Sequence, residues 1–236
     1  MNKRIVTRYT LRTPRVTRPV TLAIVADLHN GEYEDMLPVL EEADVILVPG
    51  DLLNRHCLGW ENALRFIQTM PAVCPVFYSL GNHERRYPDK ERRQWLRKVR
   101  ASNVTLLDNT TAVFGELALG GLSSVDKHTE PNGRVLAELS AMPGFRLLMC
   151  HHPEYFKPYV AGFDIDLTVA GHAHGGQVQL FGHGLYAPGQ GLFPHMTHGF
   201  YADSRLLVSR GMTNSAELPR IGNPCELVLL TLEPEA

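Results

Sequence analysis

Residues 21–29 read Thr21-Leu22-Ala23-Ile24-Val25-Ala26-Asp27-Leu28-His29. The run from Thr21 to Ala26 is apolar and β-branched, begins just after Pro19, and reads as a buried strand. It ends in a carboxylate and, two residues on, an imidazole. The same construction recurs downstream. Val45–Val48 runs into Pro49-Gly50-Asp51, and Pro75–Leu80 into Gly81-Asn82-His83-Glu84. Phe145–Cys150 leads into His151-His152-Pro153, and Leu167–Ala170 into Gly171-His172-Ala173-His174-Gly175-Gly176.

Between the early strands the spacing is helical. Glu34–Ala43 reads as a helix, provided Pro38 lies in its first turn. Leu58–Thr69 and Asp89–Ala101 follow, the latter with Asp89 as its N-cap. Strand–helix alternation implies an α/β layer with parallel strands. Later, Thr111–Phe114 and Glu116–Leu119 flank Gly115 as a hairpin, Val135–Leu139 is a short helix, and Leu206–Ser209 and Leu227–Leu232 are strands. The glycine-rich stretch from Gly171 to Gly199 reads as loop and turn. No composition break marks a linker, so residues 1–236 are expected to form a single domain.

A chain of 236 residues that is 44% hydrophobic and 20% charged buries a core without disulfide staples. Its four cysteines, Cys57, Cys74, Cys150 and Cys225, form no C-x-x-C pair and read as free thiols of a reducing compartment. No apolar run of about 18 residues predicts a transmembrane segment. Met1–Val20 lacks the apolar centre of an export signal, so a cytoplasmic location is expected by default. Net charge is −2, which announces no obligate nucleic-acid partner. The basic residues cluster in 1–18 and 84–100, and either segment can meet an anionic partner or be a solvated face. Trp95 reads as a core anchor. Phe181, Leu185, Leu192 and Phe193 read as loop packing or as an apolar lip for an acyl chain.

In open α/β sheets, ligands bind outside the carboxyl ends of the strands. Five strand ends here deliver Asp27, His29, Asp51, Asn82, His151, His172 and His174 to one edge. Oxygen and imidazole donors without thiolate suit Mn, Fe, Zn or Co. Seven donors exceed what one catalytic ion with an open position needs. They suit two ions sharing a carboxylate, for which Asp51 is the natural choice. Gly50, Gly81 and Gly171 are expected to let the backbone turn sharply and approach an ion. His195 and His198 are candidates for the wall of the cleft.

In this order the motifs Asp27-Leu28-His29, Gly50-Asp51-Leu52-Leu53-Asn54, Gly81-Asn82-His83-Glu84, His151 and Gly171-His172-Ala173-His174 resemble the calcineurin-like metallophosphoesterase superfamily. Gly171–Gln177 and the stretch from Pro219-Arg220 to Glu226-Leu227 are similar to its bacterial YkuE/YaeI-like branch. The resemblance implies a four-layer αββα sandwich of two mixed β-sheets flanked by helices. It implies one ion on Asp27, His29, Asp51 and His174 and a second on Asp51, Asn82, His151 and His172. His83 resembles the residue that hydrogen-bonds the phosphate and assists the leaving group. His151 is taken over His152 because the family ligand sits two residues before a proline. The family's second acidic residue is Asn54 here, expected to tune its neighbours by hydrogen bonding. Glu84 is expected either to orient His83 or to cap a helix. The implied activity is hydrolysis of a phosphodiester or pyrophosphate by a metal-bridging hydroxide, on a small-molecule or lipid-linked phosphate ester, with an anionic surface touched through 84–100. A nuclease of the same superfamily and a fold retained as a protein-binding scaffold are the alternatives.

Overall fold

The computed structural model describes residues 4–57, 59–125, 129–215 and 219–235. The strands in chain order begin with β1 (Ile5–Thr13), β2 (Val20–Ile24), β3 (Val45–Val48), β4 (Val76–Tyr78) and β5 (Thr105–Leu106). Next come β6 (Thr111–Phe114), β7 (Leu117–Leu122), β8 (Phe145–Cys150) and β9 (Leu167–Ala170). Four two-residue strands follow: β10 (Gln179–Leu180), β11 (His183–Gly184), β12 (Tyr186–Ala187) and β13 (Gly191–Leu192). The last are β14 (Gly199–Tyr201), β15 (Leu206–Val208) and β16 (Glu226–Pro234). The α-helices are α1 (Leu37–Leu40), α2 (Glu61–Thr69), α3 (Asn82–Arg85), α4 (Asp89–Arg100) and α5 (Gly133–Ser140).

Two six-stranded sheets form, in the orders β1-β16-β2-β3-β4-β5 and β14-β15-β9-β8-β7-β6. β2 to β5 are parallel, as the strand–helix alternation predicts, while β16 runs antiparallel to β2 and parallel to β1, which makes the sheet mixed. In the second sheet β7, β8, β9 and β15 are parallel and the two edge strands antiparallel.

Period-two alternation sorts each central strand between two cores. Ala23 and Ile46 face outward, where Leu40, Phe66, Trp95 and Val99 from the helices cover the first sheet. Leu22 and Leu47 face inward and meet Leu119, Leu147 and Val169 of the second sheet. On its far side the second sheet packs Leu148 and Val208 against Val135, Leu136 and Leu139 of α5. Three cores separate four layers, αββα.

Several local expectations shift. Glu34–Ala43 is one turn of 3-10 helix over Glu34–Met36 and one α turn over Leu37–Leu40, with Pro38 in that first turn. The second predicted helix begins at Glu61, and Leu58 lies outside the described residues. Pro88 occupies the N-cap of α4, and Asp89 is instead its first residue, bound to Arg92 at 2.6 Å. α5 starts at Gly133 because the Asn132 side chain accepts the N–H of Arg134 at 3.0 Å. The hairpin pairs Thr111–Phe114 with a strand that starts at Leu117 and runs on to Leu122. The stretch from Gly171 to Gly199 is more ordered than a loop, since it carries the ribbons β10–β11 and β12–β13.

Four arginines of the basic first segment are paired within the fold. Arg4 pairs with Asp35, Arg8 with Glu42 at 2.8 Å, Arg12 with Glu233 at 3.4 Å and Arg15 with Asp166 at 3.1 Å. In α4, Trp95 is fully buried and its Nε1–H donates to Tyr78 Oη at 3.3 Å. Trp95→Ala is expected to cost about 3–5 kcal/mol in urea unfolding. Arg93→Ala, on the exposed side of the same helix, is expected to change stability by less than about 0.5 kcal/mol.

Candidate metal centre

The polar residues after β2, β3, β4, β8 and β9 converge. Asp27, His29 and His174 bring ligand atoms within 4.8 Å of one another, and so do Asp51, His151 and His172. Asp51 connects the two groups: its Oδ2 lies 4.0 Å from His29 Nε2 and 3.1 Å from His151 Nε2. Asp27 Oδ1 lies 3.6 Å from His29 Nε2 and 3.7 Å from His174 Nε2. Asn82 heads α3, and its buried Oδ1 has no hydrogen-bond partner. All seven residues are buried. Buried polar atoms without partners are rare, yet His29 Nε2, Asn82 Oδ1 and both nitrogens of His151 are in that condition. Buried donor atoms without partners that face one another fit cations.

The backbone is bent to do this. Asp27 (φ 53°), His29 (49°), Asp51 (57°), His172 (65°) and His174 (48°) all lie in the left-handed region. Each such residue costs of order 1 kcal/mol or more and persists only where its surroundings over-determine it. Gly50 takes φ 134°, as a sharp turn requires. Gly81, by contrast, has φ −84°. It and Gly171 are required for space: an added Cβ would lie 2.2 Å from Asp51 Oδ1 at Gly81 and 2.4 Å from Asp27 Oδ2 at Gly171.

Glu84 holds the centre in place. Its buried carboxylate accepts the N–H of Gly81 (2.8 Å), Asp51 (2.9 Å) and Leu53 (2.8 Å). It thus caps α3 and ties that helix to the Asp51 loop, which decides between its two expected roles. Burial, then the neighbouring Asp51 charge, raises its pKa. The backbone N–H of His83 in turn donates to Asp51 Oδ1 at 2.7 Å.

Hydrogen bonds separate the imidazoles by role. His29 Nδ1 lies 3.1 Å from Leu53 O, so Nδ1–H donates and Nε2 faces the centre. His83 Nδ1 accepts the N–H of Arg55 at 3.1 Å. Its proton therefore sits on Nε2, which points at Asp51 Oδ2 from 3.8 Å as a donor rather than as a lone pair. Asn54 acts locally: its Oδ1 accepts the N–H of His56 at 3.0 Å and shapes the turn that carries Arg55. His151 points inward, whereas His152 Nδ1 turns to Glu154 Oε1 at 3.0 Å and its ring stacks on Tyr155.

Two side chains escaped the sequence reading. Arg220 is buried and its Nη2 donates to His174 Nδ1 at 3.0 Å and to Thr213 O at 2.6 Å. Glu154 Oε1 lies 3.8 Å from His172 Nε2. Arg220 sits within the quoted stretch from Pro219, but nothing local predicts its burial. Glu154 follows His152-Pro153 without a periodic signal.

The centre opens into a cleft of about 890 Å³, lined among others by Arg55, His56, Arg86, Tyr155 and Tyr186. Its lining histidines are His83, His172 and His174 together with His56 and His152. His195 and His198 do not line it, and His198 Nδ1 is engaged by Thr197 and Gln179 instead.

The sequence model of the calcineurin-like phosphoesterase family matches residues 20–176, the span that holds all seven converging residues and His83. The chain belongs to the calcineurin-like phosphoesterase family. It is 26% identical to an uncharacterized metallophosphoesterase of Campylobacter jejuni over 93% of this chain and 61% of the relative. It is 24% identical to the phosphodiesterase YaeI of Escherichia coli over 69% of this chain and 63% of the relative. The chain thus spans somewhat under two thirds of the length of both. Among solved structures, the Pseudomonas putida nuclease MPE is similar at 16% identity, with a TM-score of 0.35 over 88% of this chain and 78% of that chain.

The family's metal dependence agrees with the charge pattern of the donors. Against the cost of burial, the Asp51 carboxylate raises His151 to about 9, and Asp27 and Asp51 raise His29. Protons there stand where cations fit, and cation binding would release them. Burial lowers His83 to about 3, His174 to about 4 and His172 well below its ordinary value. Between about 3 and the ordinary 6.5 the unfolded chain therefore binds more protons than the fold, and stability falls as pH drops. From 6.5 to about 9 the fold keeps protons that the unfolded chain has lost, and stability falls as pH rises. Urea unfolding in a chelator is expected to show maximal stability near pH 6.5, with the alkaline decline suppressed by added divalent cation.

Proposed function

We propose that the protein is a two-metal phosphoesterase, built as one domain over residues 1–236, that cleaves a phosphodiester or a pyrophosphate. The observation that carries this is the pair of donor groups joined through Asp51. One ion would be held by Asp27, His29, Asp51 and His174, the other by Asp51, Asn82, His151 and His172. When bound, the two cations supply a water activated near neutral pH and positive charge for the reacting phosphoryl group.

The remaining chemistry belongs to the chain. His83 is held neutral by burial, and its Nε2–H faces Asp51 Oδ2 from 3.8 Å. A neutral N–H donor stabilises negative charge growing on an ester oxygen by hydrogen bonding, without transferring its proton. Arg55 N–H keeps this tautomer in place. The Arg55 and Arg86 guanidinium groups in the cleft supply charge for further substrate oxygens. A cleft of about 890 Å³ accommodates substituents on both sides of a phosphorus, which favours a diester or pyrophosphate over a simple monoester. The printed name of the Escherichia coli relative, a phosphodiesterase, points the same way.

Metal analysis joined to assays of bis-p-nitrophenyl phosphate and p-nitrophenyl phosphate, starting with Mn²⁺, tests the reading. Two ions per chain and preference for the diester are expected. His83→Ala is expected to lower kcat by on the order of 10²-fold with metal content retained; loss of both ions in that variant would make His83 a ligand instead. Asp51→Asn is expected to empty both sites.

A further inference from the structure

Six of the nine large hydrophobic side chains exposed among the described residues belong to one unit beside the cleft: Leu180, Phe181, Tyr186, Leu192, Phe193 and Ile221. Phe181 is 93% exposed, Leu192 74% and Phe193 72%. Hydrogen bonds knit their segments together. Gln179 N–H donates to Ile221 O at 2.8 Å, Leu185 N–H to Val178 O at 2.8 Å and Phe193 N–H to Leu185 O at 2.9 Å. The ribbons β10–β11 and β12–β13 complete the unit.

Two observations separate this surface from ordinary loop packing. Phe181 and Phe193 both have φ 52°, a conformation uncommon for bulky residues. Phe181-Gly182 forms the turn of β10–β11, where local backbone chemistry favours Asn-Gly. A side chain that breaks the local rule and is then left in water gains nothing from the fold. Second, no Asp, Glu, Lys or Arg occurs from Leu167 to Ala202, in a chain that is 20% charged. A protein partner is ordinarily met by an apolar centre inside a polar, charged rim. Uncharged hairpin tips carrying aromatic and aliphatic side chains suit the interface of a lipid bilayer.

The surface is continuous with the cleft. Tyr186 lines the cleft and is paired in register with Leu192 of the exposed surface. Arg55 and Arg86 line the same cleft and complement the phosphates of lipid headgroups.

We infer that the two ribbons insert into the surface of an anionic phospholipid bilayer and hold the cleft at headgroup level. For its substrate class, a phosphate ester carried at a lipid surface, this rests on the phosphoesterase reading above; the membrane contact itself does not. The full chain, in chelator, is sedimented with vesicles of phosphatidylglycerol and of phosphatidylcholine. Wild-type protein is expected to sediment with both and more strongly with the anionic vesicles. The double variant Phe181→Ser/Phe193→Ser is expected to lose roughly tenfold or more in partitioning. Its Tm and its turnover of dissolved bis-p-nitrophenyl phosphate should match wild type. Phe181→Trp should shift its emission to the blue on vesicles and be quenched by brominated acyl chains. Three results overturn the inference: no vesicle binding by the wild type, equal binding by the double variant, or a wild-type dimer that the double variant dissociates, which would make the surface a self-interface. Wild-type protein that turns over the diester but binds no vesicles sinks only the membrane contact, whereas wild-type protein that binds vesicles but shows no turnover sinks only the phosphoesterase reading.

Discussion

Asp51 is a buried carboxylate with two imidazole-bearing groups on either side of it, and the rest of the centre is arranged around that fact. A lone buried charge is costly, and this one stays ionised because His151, His83 and His29 surround it, which keeps its pKa well below the ordinary value against the cost of burial. Its position is set from behind. Glu84 takes the Asp51 and Leu53 N–H groups on one side and Gly81 N–H on the other, so the ends of β3 and β4 cannot separate without orphaning two buried donors. A buried donor left unsatisfied costs about 1–3 kcal/mol, so the clamp is cooperative.

That clamp explains how so much backbone strain is tolerated in one place. Five residues in left-handed conformation, at of order 1–3 kcal/mol each, together rival the roughly 5–15 kcal/mol by which a folded domain exceeds its unfolded chain. Asp and His are among the residues that enter this region most readily, which keeps the total toward the lower end. Two sheets packed over three apolar cores supply the opposing stabilisation. The centre is rigid because it sits where short loops leave buried parallel strands. Rigidity of this kind lets ligand atoms face one another before any ion arrives, at the expense of local stability.

The mouth of the cleft obeys a different rule. Inside, carboxylates meet imidazoles or backbone N–H groups: Asp27 meets His29 and His174, Glu154 meets His152, and Glu84 accepts from Gly81, Asp51 and Leu53. Outside, on the ribbons after His174, charge disappears and aromatic side chains stand in water. The cleft and the ribbon surface beside it, which meet at Tyr186, are thus chemically opposite walls.

Much of the centre was legible in the chain before folding. Buried parallel strands read as unbroken apolar runs, and the polar residue that ends each run must lie at one edge; this brings Asp27, Asp51, Asn82, His151 and His172 together by topology alone. The family resemblance implies His151 rather than His152 as a ligand and a non-ligand role for His83. Composition was blind wherever a partner is remote in sequence. The arginines of residues 4–15 read as either an anion-meeting face or a solvated one, and nothing local pointed to Asp35, Glu42, Glu233 and Asp166, which pair with them in the fold. Arg220 meets His174 across 46 residues, and Glu84 reaches across to Asp51 and Leu53, 33 and 31 residues away. Sequence by itself determined which atoms could ligate and at which edge, because strand periodicity and residue chemistry are local properties. Only the tertiary structure decided which nitrogen of each imidazole carries the proton, which glycines serve space rather than turning, and which apolar side chains stay in water, because each depends on the group that long-range packing sets against it.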